Sequence, residues 1–182
     1  MKSRLTDAFE HAYDRRLERD FDRLLHRSPQ VPSPEELRQR VEAFLAEHCI
    51  CTLATCVDDI PRATVVRYRS RGLQVFVFTE GGGKVGNLHQ NPRVCLTVQA
   101  DYQGFESCAC VQAWADARIL GPGNQPEYQE IKEFFNLPQR ADLQATGVDR
   151  IPDMFLLVLT ITRARFLNFP DGILNQQLLV QD

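Results

Sequence analysis

No run of apolar residues in this 182-residue chain is long enough to cross a bilayer. The longest, Met154 to Leu159, is six residues, against roughly 20 for a spanning helix. The N-terminus, M-K-S-R-L-T-D-A-F-E, lacks the apolar centre of a secretory signal, so a cytoplasmic protein with no membrane contact is expected. An excess of one charge is also missing. Lys and Arg number 21 and Asp and Glu 24, a formal net charge of -3, which excludes the broad basic footprint of a nucleic-acid binder. Any anion must therefore be held by a local group. Cysteine is modest: six residues (49, 51, 56, 95, 108 and 110), most inside apolar strand-like runs, where reduced thiols act as small hydrophobes. Cys49-x-Cys51 and Cys108-x-Cys110 do not have the C-x-x-C knuckle spacing of structural zinc sites, so no metal is expected. No Cys/His arrangement for nucleophilic catalysis is legible.

What is present is ordinary globular composition, 43% hydrophobic and 25% charged, enough for one substantial core. Leu5, Phe9, Tyr13, Leu17, Phe21 and Leu25 recur at i, i+4 spacing, which predicts an amphipathic helix over Ser3 to Arg27. Three prolines between Ser28 and Pro34 end it, so residues 1–32 read as a helix and linker ahead of a domain spanning 33–182. Ser33 with Glu36 makes a capping box, Pro34 takes the first helical position, and Leu37, Val41, Phe44 and Leu45 give the helix a buried face.

From Ile50 the period changes to that of strands. Six are predicted: Ile50 to Val57, Pro61 to Ser70, Leu73 to Thr79, Arg93 to Ala100, Ala109 to Leu120 and Met154 to Phe169. The short connections Asp58-Asp59 and Arg71-Gly72 make the first three an antiparallel meander. Short helices are predicted over Lys84 to Gln90 and over Pro126 to Phe135, the second capped by Asn124 with Glu127. The expected fold is mainly β with flanking helices, a barrel or sandwich of antiparallel strands.

The segment Thr79-Glu-Gly-Gly-Gly-Lys-Val-Gly86 follows a strand and opens a helix, a setting in which backbone N–H groups and Lys84 can cradle a phosphate. It is not a P-loop, because Phe78 stands where the first glycine belongs and Val85 follows the lysine. Gly81, Gly83 and Gly86 satisfy G-x-G-x-x-G, with Asp101 placed as a ribose-binding acid would be. A parallel crossover, however, must return along a strand of about 23 Å. The helix Lys84 to Gln90 supplies only about 10 Å, so a Rossmann unit is not expected. Nearby, the second strand carries Arg62, Arg67, Arg69 and Arg71 with no acid among them. Arginine forks suit phosphate oxygens, although Arg69 and Arg71 flank a turn and read as surface decoration.

Several of these pieces taken together resemble the pyridoxamine 5'-phosphate oxidase-like FMN-binding split barrels. The carriers are C-T-L-A-T on the first strand, Arg62-Ala-Thr-Val-Val-Arg67, F-x-F-T ending at Thr79, Lys84-Val-Gly-Asn-Leu-His-Gln-Asn-Pro-Arg-Val94, and Val111-Gln-Ala-Trp-Ala-Asp-Ala-Arg-Ile-Leu120. The resemblance covers about Leu37 to Phe169. It implies a six-stranded antiparallel split barrel, a homodimer, and FMN at the subunit seam. It also implies that Arg62, Arg67 and Lys84 serve the FMN phosphate, that Thr64, Val65 and Val66 lie along the ring and ribityl chain, and that Phe78 and Thr79 sit beside the phosphate. Ala63, Gly83 and Asn87 complete the expected contacts, and Gln112 resembles a glutamine that reaches the flavin from the dimer partner.

The chain departs from the oxidases in two places. Gly82-Gly83 replaces the Ser-Arg that precedes the helix lysine, so phosphate binding leans on glycine N–H groups. The Arg-x-His segment that holds the pyridoxal substrate has no counterpart between Asn168 and Asp182, so pyridoxamine phosphate oxidation is not expected. An FMN-dependent oxidoreductase acting on another small molecule is the first expectation. A non-catalytic protein that binds or senses flavin or haem on the same barrel is the alternative, and related barrels also carry a deazaflavin.

Overall fold

A computed structural model describes residues 13–23, 28–123, 125–135 and 154–180. In chain order the elements are α1 (13–23), α2 (Pro34–Glu47), β1 (Ile50–Val57), β2 (Ile60–Arg67), β3 (Arg69–Arg71), β4 (Gln74–Thr79), α3 (Gly83–Gln90), β5 (Arg93–Gln99), β6 (Ala109–Leu120), α4 (Pro126–Phe134), β7 (Phe155–Asn168) and β8 (Ile173–Leu179). All strand ladders are antiparallel, in the order β2-β1-β5-β6-β7-β4-β3, with β8 also pairing β7. β4 and β5 are not neighbours, which removes the Rossmann alternative for the glycine loop.

Local chemistry explains the turns. Asp58 and Asp59 both have positive φ, +51° and +60°, the paired left-handed residues whose twist matches a two-residue hairpin; Val57 pairs Ile60 across it. Gly72, at φ +57°, turns β3 into β4.

The predicted strand Pro61 to Ser70 is two strands. β2 pairs β1 at one edge of the sheet, β3 pairs β4 at the other, and only Tyr68 lies between them. Opposite edges joined through one residue require the sheet to curl until they meet. Here β2 and β4 touch without joining a ladder, which is the split of a split barrel. The three-strand meander is thus corrected to two hairpins on opposite edges. Tyr68 holds the crossing point: it is fully buried, its N–H donates to the Cys49 carbonyl at 2.8 Å, and its hydroxyl donates to the Leu45 carbonyl at 2.9 Å.

β8 is the second departure from the six expected strands. Asn175 sits at φ +45° and the β7 pairing shifts register between Phe166 and Asn168. The period-2 signal is broken there, and Ile-Leu-Asn-Gln-Gln-Leu-Leu does not read as a strand.

The core lies inside the curl, with Leu53, Val75, Val77, Leu96, Val98, Val111 and Leu159 all completely enclosed. α2 closes one end through Leu37, Val41, Phe44 and Leu45, each contributing roughly 1.5–3 kcal/mol by burial. Its capping box forms as expected, with the Glu36 N–H donating to Ser33 Oγ and the Ser33 N–H donating to Glu36 Oε2. α4 lies on the opposite face of β4 and β7, where Tyr128, Ile131 and Phe135 pack on Phe76, Leu156 and Val158. β4 and the first half of β7 are therefore buried on both faces. Gln125 precedes α4 without a side-chain cap; Asn124 lies outside the described residues.

The apolar stripe of α1 finds a surface at the β7–β8 turn. Phe21 is fully buried against Phe169 and Leu174, with Leu17 beside it, while Tyr13 is exposed. Leu5, Phe9 and Leu25 lie outside the described residues. Asp14 accepts hydrogen bonds from Arg165 and from Asn175 Nδ2, pinning α1 to the sheet.

Candidate functional site

β2 is the spine of the site. Because side chains alternate along a strand, Arg62, Thr64 and Val66 leave it on the face shared with Thr55, Leu53 and Cys51. Ala63, Val65 and Arg67 leave on the other. Arg62 and Arg67 stand about 17 Å apart along the strand and on opposite faces. The expected cationic group is thereby divided between the two faces, with Gly83 of α3 under Arg62 and Gly82 and Lys84 lining the groove of Arg67.

On one side, the Arg62 guanidinium lies directly over the first residue of α3. A Cβ on Gly83 would be 2.8 Å from Arg62 Cζ and 2.9 Å from its Nε and Nη2. Only glycine leaves that seat free. The residue before it, Gly82, has φ +84° and no side chain to cap the helix, and the first turn carries no acid. The N–H groups of Val85 and Gly86 donate to the Gly82 carbonyl at 3.0 and 3.2 Å, which leaves those of Gly83 and Lys84 and the positive dipole end for another acceptor. The loop leading in is held by its own bonds: the Gly81 N–H donates to Thr79 Oγ1 at 3.4 Å, and Lys84 Nζ donates to the Gly81 carbonyl at 3.1 Å.

On the other side, Val65, Val66, Arg67, Phe78, Thr79, Glu80, Gly81, Gly82, Lys84 and Met154 line a groove of about 600 Å³. Arg67 Nη1 is buried and has no hydrogen-bond partner among the described residues. An orphaned, water-shielded guanidinium donor is costly and fits an anionic or carbonyl acceptor in this groove. Arg62, Ala63 and Asn87 line a smaller recess of about 430 Å³ with Val57, Asp58, Ile60 and Pro61. There Asn87 Nδ2 donates to Thr55 Oγ1 at 3.0 Å, fastening α3 to β1.

The structure thus places Arg62, Ala63 and Asn87 in one recess and Val65, Val66, Arg67, Phe78, Thr79 and Lys84 along the other groove, with Gly83 under Arg62 and next to Lys84 where the two meet at the start of α3. Thr64 is half-buried opposite Leu53. Gln112 lines neither groove. It sits on the outer face of β6 between Thr97 and Arg165, and its Nε2 donates to Cys95 Sγ at 3.7 Å. Burial raises the Cys95 pKa, the glutamine bond only partly opposing it, so Cys95 is poorly suited to act as a thiolate. Trp114 lies under the Arg163 guanidinium, 3.7 Å from ring centre to Cζ. Arg69 and Arg71 serve α4: Arg69 donates to the Phe134 carbonyl at 2.6 Å and Arg71 pairs with Glu130 at 2.7 Å.

Residues not singled out by sequence also enter the site. Met154 joins the groove because the start of β7 pairs with the end of β4, Phe155 opposite Thr79. Tyr128 donates to its carbonyl at 2.8 Å, and no local signal announces a partner so distant. Thr55, the last residue of the C-T-L-A-T run, is buried beneath Asn87, and its hydroxyl in an apolar strand is the only local feature that sets it apart from its buried neighbours.

The family model for pyridoxamine 5'-phosphate oxidase matches residues 37–168. The chain belongs to the pyridoxamine 5'-phosphate oxidase family. No curated protein matches it. Among solved structures, a candidate pyridoxamine 5'-phosphate oxidase from Listeria innocua aligns with a TM-score of 0.57 at 19% identity. It covers 72% of this chain and 98% of that one. A FAD-binding protein from Mesorhizobium loti aligns at 0.50 and 18%, over 67% and 86% of the two chains. A heme storage protein from Vibrio cholerae aligns at 0.51 and 17%, over 69% and 89%. At these identities the likeness is one of fold, and it agrees with the curled antiparallel sheet and flanking helices of this member of the family.

Proposed function

We propose that this member of the pyridoxamine 5'-phosphate oxidase family binds FMN along β2. The phosphate would lie at the start of α3, between Arg62 and Lys84, and the ring system would run past Val65 and Val66 toward Arg67. The observation that carries the reading is the pairing of a helix start without a side-chain cap, covered by Arg62, with a buried Arg67 donor that has no partner among the described residues, five residues along the same strand. Bound there, the flavin would supply hydride or electron transfer to a small molecule. The chain's own part is to bind and orient. Arg62, Lys84 and the N–H groups at the start of α3 would hold the dianion, Phe78 and Met154 would shield the groove from water, and Arg67 would offer its unpartnered donor to the bound group. The FAD-binding relative supports a flavin on this fold; the heme storage relative supports haem as the competing cofactor.

The reading includes a homodimer, which the family resemblance implies and the position of Gln112 supports. Gln112 and Trp114 stand half-buried on the outer sheet face, away from the grooves of their own chain. A second copy packed on that face would bring Gln112 toward the flavin of its partner.

The visible spectrum of the purified protein tests the reading. Flavin bands, with FMN released on denaturation, support it. A Soret band replaces FMN with haem, and a colourless protein that cannot be reconstituted with FMN refutes it. Arg62→Ala with Lys84→Ala should weaken FMN far more than riboflavin; equal losses would contradict the assigned phosphate end.

A further inference from the structure

We propose that Gly83 is a positioning residue that sets phosphate specificity through Arg62. Its missing side chain is the seat in which the Arg62 guanidinium rests across the first turn of α3, and any larger residue evicts it. The inference deepens the FMN reading and rests on it. Gly83 does not have the positive φ of Gly81 and Gly82, so backbone conformation does not demand glycine here. What demands it is space: the three atoms crowding a Cβ are all at the free end of Arg62. That end is flexible and can swing into solvent at little cost, and none of the ion pairs among the described residues holds it. Gly83→Ala is therefore a substitution the fold tolerates and the cradle does not. Gly86, three residues on, is a matched control, because a Cβ there meets nothing within 4 Å.

The experiment titrates FMN and riboflavin, by quenching of flavin fluorescence, into the wild type, Gly83→Ala, Arg62→Ala, the double variant and Gly86→Ala. Gly83→Ala should lose about 10- to 100-fold in FMN affinity, the worth of one guanidinium's charge-assisted bonds. Riboflavin affinity and melting temperature should hold. In the Arg62→Ala background the same change should add no further loss, since both remove one group. Gly86→Ala should bind as the wild type does. Parallel losses of FMN and riboflavin, or losses that add in the double variant, would overturn the role of Gly83. Should the wild type bind neither flavin, the FMN reading fails, and inorganic phosphate then decides the seat on its own. Phosphate that raises the melting temperature of the wild type and not of Gly83→Ala supports it; no effect on the wild type overturns it as well.

Discussion

Replacing Arg67 with methionine should make the unliganded protein more stable and the FMN-loaded protein less so. The cause is Arg67 Nη1, a buried donor on a charged residue that lines the groove, without an acceptor among the described residues. Leaving such a donor unsatisfied costs about 1–3 kcal/mol. Because the residue as a whole is only half-buried, the lower part of that range applies, about 1–2 kcal/mol. Methionine keeps much of the apolar stem and removes both the charge and the orphan. For a chain of this length each kcal/mol moves the midpoint by roughly 2–4 °C, so Arg67→Met should melt about 2–8 °C above the wild type by differential scanning calorimetry without ligand. With FMN the order should reverse. A ligand at 100 times its Kd adds about 2.7 kcal/mol, and losing charge-assisted bonds worth about 1.5–3 kcal/mol removes most of that gain from the variant, more than its unliganded lead of about 1–2 kcal/mol. An unliganded Arg67→Met that melts at or below the wild type would refute the argument, because the guanidinium would then contribute stability rather than store a cost for the ligand to repay.

Tyr68→Phe removes the hydroxyl that reaches the Leu45 carbonyl and should cost about 1–2 kcal/mol, lowering the midpoint by roughly 2–8 °C; an unchanged midpoint would mean the crossing point is held by packing alone. Burial pushes the Cys51 thiol up to about 12, so a thiol reagent at mildly alkaline pH should modify exposed Cys49 and spare Cys51 until the protein unfolds. Since the folded value lies above the unfolded one, the contribution of Cys51 is full below the unfolded thiol pKa of about 8.5 and declines as pH rises past it. Reaction of Cys51 in the native protein at the rate of Cys49 would contradict this. Glu127 is held below its ordinary value, chiefly by its hydrogen bonds to Arg118, so its contribution is present above the unfolded carboxylate pKa and is lost as pH falls through the folded one. Both partners are about half exposed, which keeps the effect under about 1 kcal/mol. Glu127→Gln should flatten the acid limb of the melting-temperature profile, and an unaltered limb would show that the pair is fully screened.

By itself the sequence determined what neighbouring residues settle between themselves. Ser33 and Glu36 lie three apart, so their reciprocal cap needs nothing beyond one helical turn. Asp58-Asp59 between two alternating runs specifies a hairpin, and Thr79 to Lys84 specifies a loop that opens a helix. The residue types of the site, two arginines and a lysine beside glycines, were equally legible. The tertiary structure alone decided how they are divided. Alternation already puts Arg62 and Arg67 on opposite faces, but only the curl of the sheet sets the α3 start over Arg62 and brings Lys84, Phe78 and Met154 to the groove of Arg67. β8, with its left-handed Asn175, and the break at Tyr68 were hidden for the same reason. Which edge a strand joins is settled by burying Tyr68 and β4 on both faces at once, a gain that no stretch of the chain can register until the sheet has closed.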